Sequence, residues 1–189
     1  MVSIKRGLAD IEQPGKRPIF VQWVNPKPDR EEVLRFVTDF DQVATASSHE
    51  FYKCLDGVLR SFVCCRDDRE CPLCQRNHPL QESGWAYVVP GDVEASGTFS
   101  EQLGGPYVLK LPTVPFWAQA KTLAAKRGTL RDRPYGVIRG SSWRSYTMRE
   151  VGLAFESPPL DPAWTSTDLA EIIESYATPE WYAAYVVTT

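Results

Sequence analysis

The stretch "GVLRSFVCCRDDRECPLC", residues 57–74, carries four of the chain's five cysteines. Its first half, rich in β-branched and aromatic residues, reads as a β-strand that runs straight into the cysteines. Cys71-Pro-Leu-Cys74 has the spacing of a metal knuckle. Two thiolates three positions apart can meet one ion while backbone amides of the turn hydrogen-bond the sulfurs, and Zn²⁺ favours four tetrahedral N and S donors. The third donor is Cys64 or Cys65. For the fourth there are three candidates: His49, His78 and Cys54. Cys74-x3-His78 is the shortest spacing, whereas His49 would close a larger loop. A closed set of four protein donors marks a structural site. The nucleobase-deaminase pattern, H-x-E with P-C-x-x-C, is not met, because His49 and Glu50 are adjacent and Pro72 lies inside the pair. The expected role is therefore architectural and non-enzymatic.

Around this cluster, 189 residues suit one domain, or one domain with a tail. No apolar run near the start could serve as a secretory signal, and nothing later approaches the length of a membrane span. The expected setting is cytoplasmic, without a membrane partner, where clustered thiols point to metal before disulfides. Net charge is only −3, but its distribution is uneven. Residues 106–149 hold nine Lys and Arg against Asp132 alone, and residues 150–189 hold seven acids and no Lys or Arg.

Local patterns divide the rest. Residues 18–24 ("PIFVQWV") predict a strand closed by the "NPKP" turn signal. Residues 29–44 predict a helix, with Asp29 and Glu32 as a capping-box-like start and Val33, Phe36, Val37 and Phe40 on one face. Further strands are predicted at 57–65, 84–91 and 106–112. A basic helix is predicted over 115–128, and a strand–turn–strand over 134–152. Two acidic helical pieces, 165–176 and 178–187, follow the Pro-rich boundary at 156–162. The expected fold class is mainly β with helices (α+β), a small β-barrel with decorations. Its parts are a flexible N-terminus (1–18), a core (19–155) with a metal subdomain at about 45–80, and an acidic C-terminal tail (156–189).

In "LRDRPYGVIRGSSWRSYTMRE", residues 130–150, arginines interleave with Tyr135, Trp143 and Tyr146. Strand alternation puts Tyr135, Val137 and Arg139 on one face. Cationic groups that follow phosphates and flat rings that stack on bases are what a single-strand binder needs. A half-buried strand with solvated arginines produces the same pattern.

The order His49, "RSFVCC", "CPLC", an apolar-aromatic strand and then "GTLRDRPYGVIRG…YTM" resembles the zinc-containing, OB-fold single-stranded DNA-binding (helix-destabilising) proteins of tailed phages, over roughly residues 45–150. The resemblance implies an OB-like core and one structural Zn²⁺ held by His49, Cys64 (or Cys65), Cys71 and Cys74. It also implies single-stranded DNA as ligand without sequence preference, replication partners met through the acidic tail, and the cytoplasm of a bacterial host. On that reading Lys110, Lys121, Arg131, Arg133, Arg139 and Arg144 meet phosphates, and Tyr135, Trp143 and Tyr146 stack. Arg60 and Phe62 add to them from the strand that feeds the metal loop.

Overall fold

The protein is described by a computed structural model covering residues 22–65, 71–102, 106–142, 145–151, 164, 168–177, 182–183 and 185–186. Its strands are β1 (Trp23–Val24), β2 (Glu31–Phe36), β3 (Ala44–Lys53), β4 (Leu59–Val63), β5 (Leu80–Val93), β6 (Phe99–Glu101), β7 (Tyr107–Pro112), β8 (Pro134–Arg139) and β9 (Tyr146–Glu150). The helices are α1 (Pro72–Gln75), α2 (Ala118–Arg127) and α3 (Leu169–Ser175). Among the described residues no helix is long and apolar enough to cross a membrane. The chain divides into a larger unit, Val21–Thr45 with Ser83–Thr167, and a smaller one that joins Ala46–Glu82 to Asp168–Thr189.

The larger unit is an open, mostly antiparallel sheet in the order β1-β7-β5-β2-β8-β9, in which only the β1–β7 pairing is parallel. Period-two alternation decides its faces. Leu34 lies opposite Tyr135, and Ala86 opposite Leu109. These residues, with Phe36, Val88, Leu111, Val137 and Met148, form the core face. Phe116, Trp117, Ala120 and Leu130, from α2 and its flanks, close over it. Each Leu, Val, Phe or Met side chain among them contributes about 1.5–3 kcal/mol when fully buried. Gly84 is required here, since a Cβ on it would run into the Trp117 indole, whose Nε1–H donates to the Leu111 carbonyl at 3.0 Å. The edge strand β9 is capped by one side chain. Gln119 donates to the Tyr146 carbonyl (3.2 Å) and accepts from the Met148 amide (3.0 Å), occupying ladder groups that would otherwise invite another strand.

The helix predicted over 29–44 is corrected. Residues 31–36 are β2, the strand between β5 and β8, and only a short 3-10 turn, Phe40–Gln42, follows. Leu34 and Phe36 face the core and Arg35, on the opposite face, is buried as well, so three successive residues are buried and the run lacks the in-out alternation that marks a strand. Asp29 is not a helix cap. It sits at φ 55 in a turn, its amide donating to the Arg139 carbonyl at 2.9 Å. The capping box is Asp39 with Gln42, ten residues later. The basic helix is α2, ended by Gly128 in the left-handed region (φ 82) after Lys126 and Arg127. The predicted strands at 57–65, 84–91 and 106–112 and the strand pair β8–β9 are present. Residues 1–18 and the boundary at 156–162 lie outside the described residues.

Asp39 also ties the turn to the α2–β8 connection. It accepts from the Thr129 hydroxyl at 2.5 Å and the Leu130 amide at 3.0 Å. Burial pushes its pKa up, but these bonds, the Phe40 amide and the Arg131 charge outweigh it and hold the carboxyl below its ordinary value. The stabilisation is then present above pH ~4 and lost as pH falls through the lower folded-state value. Asp39→Ala should cost about 1–2 kcal/mol at pH 7 by urea unfolding, and the difference from wild type should shrink at pH 3.

Candidate metal centre

The smaller unit builds a four-donor cluster from three pieces of backbone. His49 lies on β3, paired with Phe62 of β4. The Cys64 amide donates to the Ser47 carbonyl at 2.8 Å and so extends the β3–β4 ladder by one residue. Successive residues of extended chain point oppositely. Cys64 brings its sulfur into the donor group, while Cys65, left out of it, is buried among Phe62, Leu73 and Cys54. That geometry settles which of the doubled cysteines belongs to the donor group. Cys71 and Cys74 bracket α1, a single turn that opens on Pro72, where a missing N–H does no harm.

The four donor atoms of His49, Cys64, Cys71 and Cys74 lie within 4.8 Å of one another. His49 Nε2 is 3.3 Å from Cys71 Sγ and 3.5 Å from Cys74 Sγ, and the Cys64 and Cys74 sulfurs are 3.5 Å apart. A tetrahedral Zn²⁺ with Zn–S of about 2.3 Å and Zn–N of about 2.0 Å has edges of roughly 3.5–3.8 Å, so the set fits such an ion. The tautomer fits too. His49 Nδ1–H faces the carbonyls of His78 (3.2 Å) and Pro79 (3.3 Å), which leaves the Nε2 lone pair for the metal. His49 and Cys71 are buried, whereas Cys64 and Cys74 are half-buried. Burial pushes the Cys71 thiol up. Hydrogen bonding to Tyr182, the Cys74 and Leu73 amides and His49 outweighs it and brings the pKa down to about 6, favouring the thiolate a metal needs.

His78 is outside the donor cluster. Its ring packs edge-on to His49 (centroids 5.6 Å) and to Tyr52 (5.5 Å), and its carbonyl orients the His49 ring. Burial pushes its pKa down, as suits a neutral packing imidazole. Cys54 is buried in the apolar cluster, where desolvation pushes its thiol up. Sequence reasoning missed Tyr182, whose hydroxyl lies 3.5 Å from Cys71 Sγ. The signal was its setting: an acidic end rich in aromatics has something to bury.

The proposed nucleic-acid contacts are placed unevenly. Tyr135 is fully buried, its hydroxyl donating to Asp132 at 3.3 Å, and Tyr146 and Phe62 are also core residues. A ring inside a core has no free face, so Tyr135 and Tyr146 are corrected from stacking candidates, and Phe62 from a further nucleic-acid contact, to packing residues. Arg60 is held by Asp56 at 2.7 Å and lies 4.2 Å over the Tyr185 ring. Arg133 meets Asp132 and Glu150, and Lys126 and Arg127 converge on Glu150 as well. Lys121 and Arg131 are exposed, and Arg139 is half-buried at the end of β8. Trp143 and Arg144 lie outside the described residues. Lys110 sits 5.5 Å over the Trp85 ring, which meets Trp23 edge-on at 5.3 Å. Pairing of Trp85 with Lys110, and of Trp23 with Val108, puts this group on the sheet face opposite the core. Alternation in "GWAYVV" and "YVLKLP" carried that signal.

Comparison with known protein families, curated proteins and solved structures finds no match to this chain.

Proposed function

We propose that the chain is a non-enzymatic single-stranded DNA-binding protein, an OB-like β fold stapled by one structural Zn²⁺. It would work in the cytoplasm of a bacterial host if phage-encoded. The observation that carries the reading is the Trp23–Trp85–Lys110 group on the non-core sheet face, in a chain whose residues 106–149 hold nine bases against one acid. Trp85 is itself buried (2% exposed), so within this group the half-buried Trp23 indole is the ring proposed to stack on bases and the Lys110 ammonium the group proposed to meet phosphate. Four protein donors fill a tetrahedral ion's sphere, which supports architecture over hydrolysis. The exposed carboxylates of α3, Glu171 and Glu174, are the groups proposed to meet replication partners or to compete with DNA.

Titration with oligo-dT should quench tryptophan emission. Trp23→Ala should lose about 1–3 kcal/mol of affinity. Lys110→Ala should lower the slope of log affinity against log salt by about 0.7, the value for one phosphate on a single strand. Unquenched emission with no salt-dependent binding would sink the reading. Removing the exposed charges through Glu171→Gln and Glu174→Gln tests competition, and should tighten binding at low salt. These substitutions are cleaner than truncation, because Tyr182, Tyr185 and Val186 belong to the smaller unit's core.

A second reading, a zinc-stapled protein–protein adaptor, is favoured by the turn between β3 and β4. There Leu55, Val58 and Leu59 are 66%, 50% and 58% exposed. An adaptor would leave oligo-dT unbound and lose its partner on Leu55→Ser with Leu59→Ser.

A further inference from the structure

Tyr182 is 111 residues from Cys71 in sequence, yet its hydroxyl lies 3.5 Å from the Cys71 sulfur and 2.7 Å from the Val63 carbonyl. The ring is 1% exposed and packs on Phe62 with centroids 5.2 Å apart. Neighbouring bonds hold the segment in place. The Leu55 amide donates to the Tyr185 carbonyl at 3.1 Å, and the Tyr185 and Val186 amides turn back to the Tyr182 carbonyl at 3.0 and 2.7 Å. The Arg60 guanidinium lies over the Tyr185 ring. A C-terminal piece of chain is thus seated on the metal-bearing hairpin, with its one phenolic proton between a ligand sulfur and the carbonyl of the residue before Cys64.

An ion in this centre would be held by His49, Cys64, Cys71 and Cys74 and would keep Cys71 as a thiolate; the Tyr182 hydroxyl, 3.5 Å from that sulfur, would then be placed to donate to it, as hydrogen bonds around metal ligands do.

We infer that Tyr182 is a positioning residue for the metal centre, and that seating of the C-terminal segment and occupancy of the centre stabilise each other. The coupling is reciprocal by linkage: whatever the seated segment adds to metal affinity, the metal adds to the seating. The inference needs the metal centre but not the DNA-binding reading, so the two fail separately.

The test uses the full chain with Co²⁺, whose thiolate charge-transfer and d–d bands report the donor set, and Zn²⁺ in competition with a chromophoric chelator. Tyr182→Phe keeps the ring and removes the hydroxyl. It should weaken Zn²⁺ binding about tenfold, shift the charge-transfer band, and speed hydrogen exchange at the Tyr185 and Val186 amides in the metal-loaded protein. Tyr185→Phe, which keeps the ring beneath Arg60, should leave affinity and bands as in wild type. In wild type, chelator should speed exchange at the Leu55, Tyr185 and Val186 amides. Wild-type affinity and bands in Tyr182→Phe would overturn the inference. So would equal weakening by Tyr185→Phe, or chelator-independent exchange. A wild-type chain that binds neither ion removes the centre and the inference together.

Discussion

Cys71→Ser is expected to abolish tight metal binding and to melt the smaller unit. Cys71 is buried, within 3.3 Å of His49 Nε2 and next to the Tyr182 hydroxyl. A serine hydroxyl in its place would be a weak ligand for Zn²⁺. The described residues of the smaller unit supply a small apolar core. Its apolar cluster is Cys54, Phe62, Cys65, Cys71, Leu73, Tyr182, Tyr185 and Val186, with three cysteines among the eight. A single core of this size rarely supplies more than ~3–5 kcal/mol, whereas a structural Zn²⁺ site adds an apparent ~10–16 kcal/mol at neutral pH. Loss of the metal therefore exceeds what packing can offset. The measurement is metal content after dialysis against chelator, with near-UV circular dichroism following the buried tyrosines. Cys65→Ser is the contrast: it should keep the metal, because Cys65 points into the apolar cluster. A Cys71→Ser protein that retains zinc and melts like wild type would remove the centre from this protein.

The contrast between those cysteines shows where sequence pattern reached its limit. The knuckle, the strand entering it and the two candidate third donors were legible, because ligand spacing and β-branched runs are local. The choice of Cys64 needed the register that pairs His49 with Phe62 and so fixes the side on which residue 64 points. Spacing alone left His49 and His78 open and the family resemblance chose His49; the donor group bears that out through β3, a strand whose composition, "ATASSHEFYK", carries few strand-forming residues. Its buried Ser48 and His49 make sense only beside β4 and the cysteines. The alternation of Tyr135 with Val137 was also legible, yet not which face is the core. That depends on Tyr135 lying opposite Leu34, a strand one hundred residues earlier. β2 itself read as a helix because apolar residues of a strand buried on both faces fall at spacings that suit either period. The C-terminal segment was the opposite case. Its acidity suggested a tail and its aromatics argued otherwise; the aromatics were right for Tyr182 and Tyr185, which are buried together with Val186.

The second large effect belongs to the larger unit and is electrostatic. Arg35 of β2 points away from the Leu34–Phe36 core face, its side chain fully buried, with Nε 2.6 Å from the Glu101 carboxylate. Burial pushes the Arg35 pKa down, Glu101 restores part of it, and Arg131 works with burial. The guanidinium nonetheless stays charged at any pH at which the fold persists. Glu101→Ala therefore removes the carboxylate beside a buried cation, for a cost of about 3 kcal/mol or more, and a drop of the order of 15 °C in the larger unit's Tm. Arg35→Met should cost less, since it replaces the cation with an apolar chain of similar length and leaves a Glu101 side chain that is 23% exposed and can reach water. The double variant should lie near Arg35→Met alone, because with the cation gone the carboxylate has lost its role. Thermal unfolding of the four proteins closes the cycle, and the expected coupling is about 3 kcal/mol, the cost of Glu101→Ala alone. Equal losses from Glu101→Ala and Arg35→Met, adding in the double variant, would mean that water reaches the Arg35 guanidinium and that the pair does not hold β6 to the sheet.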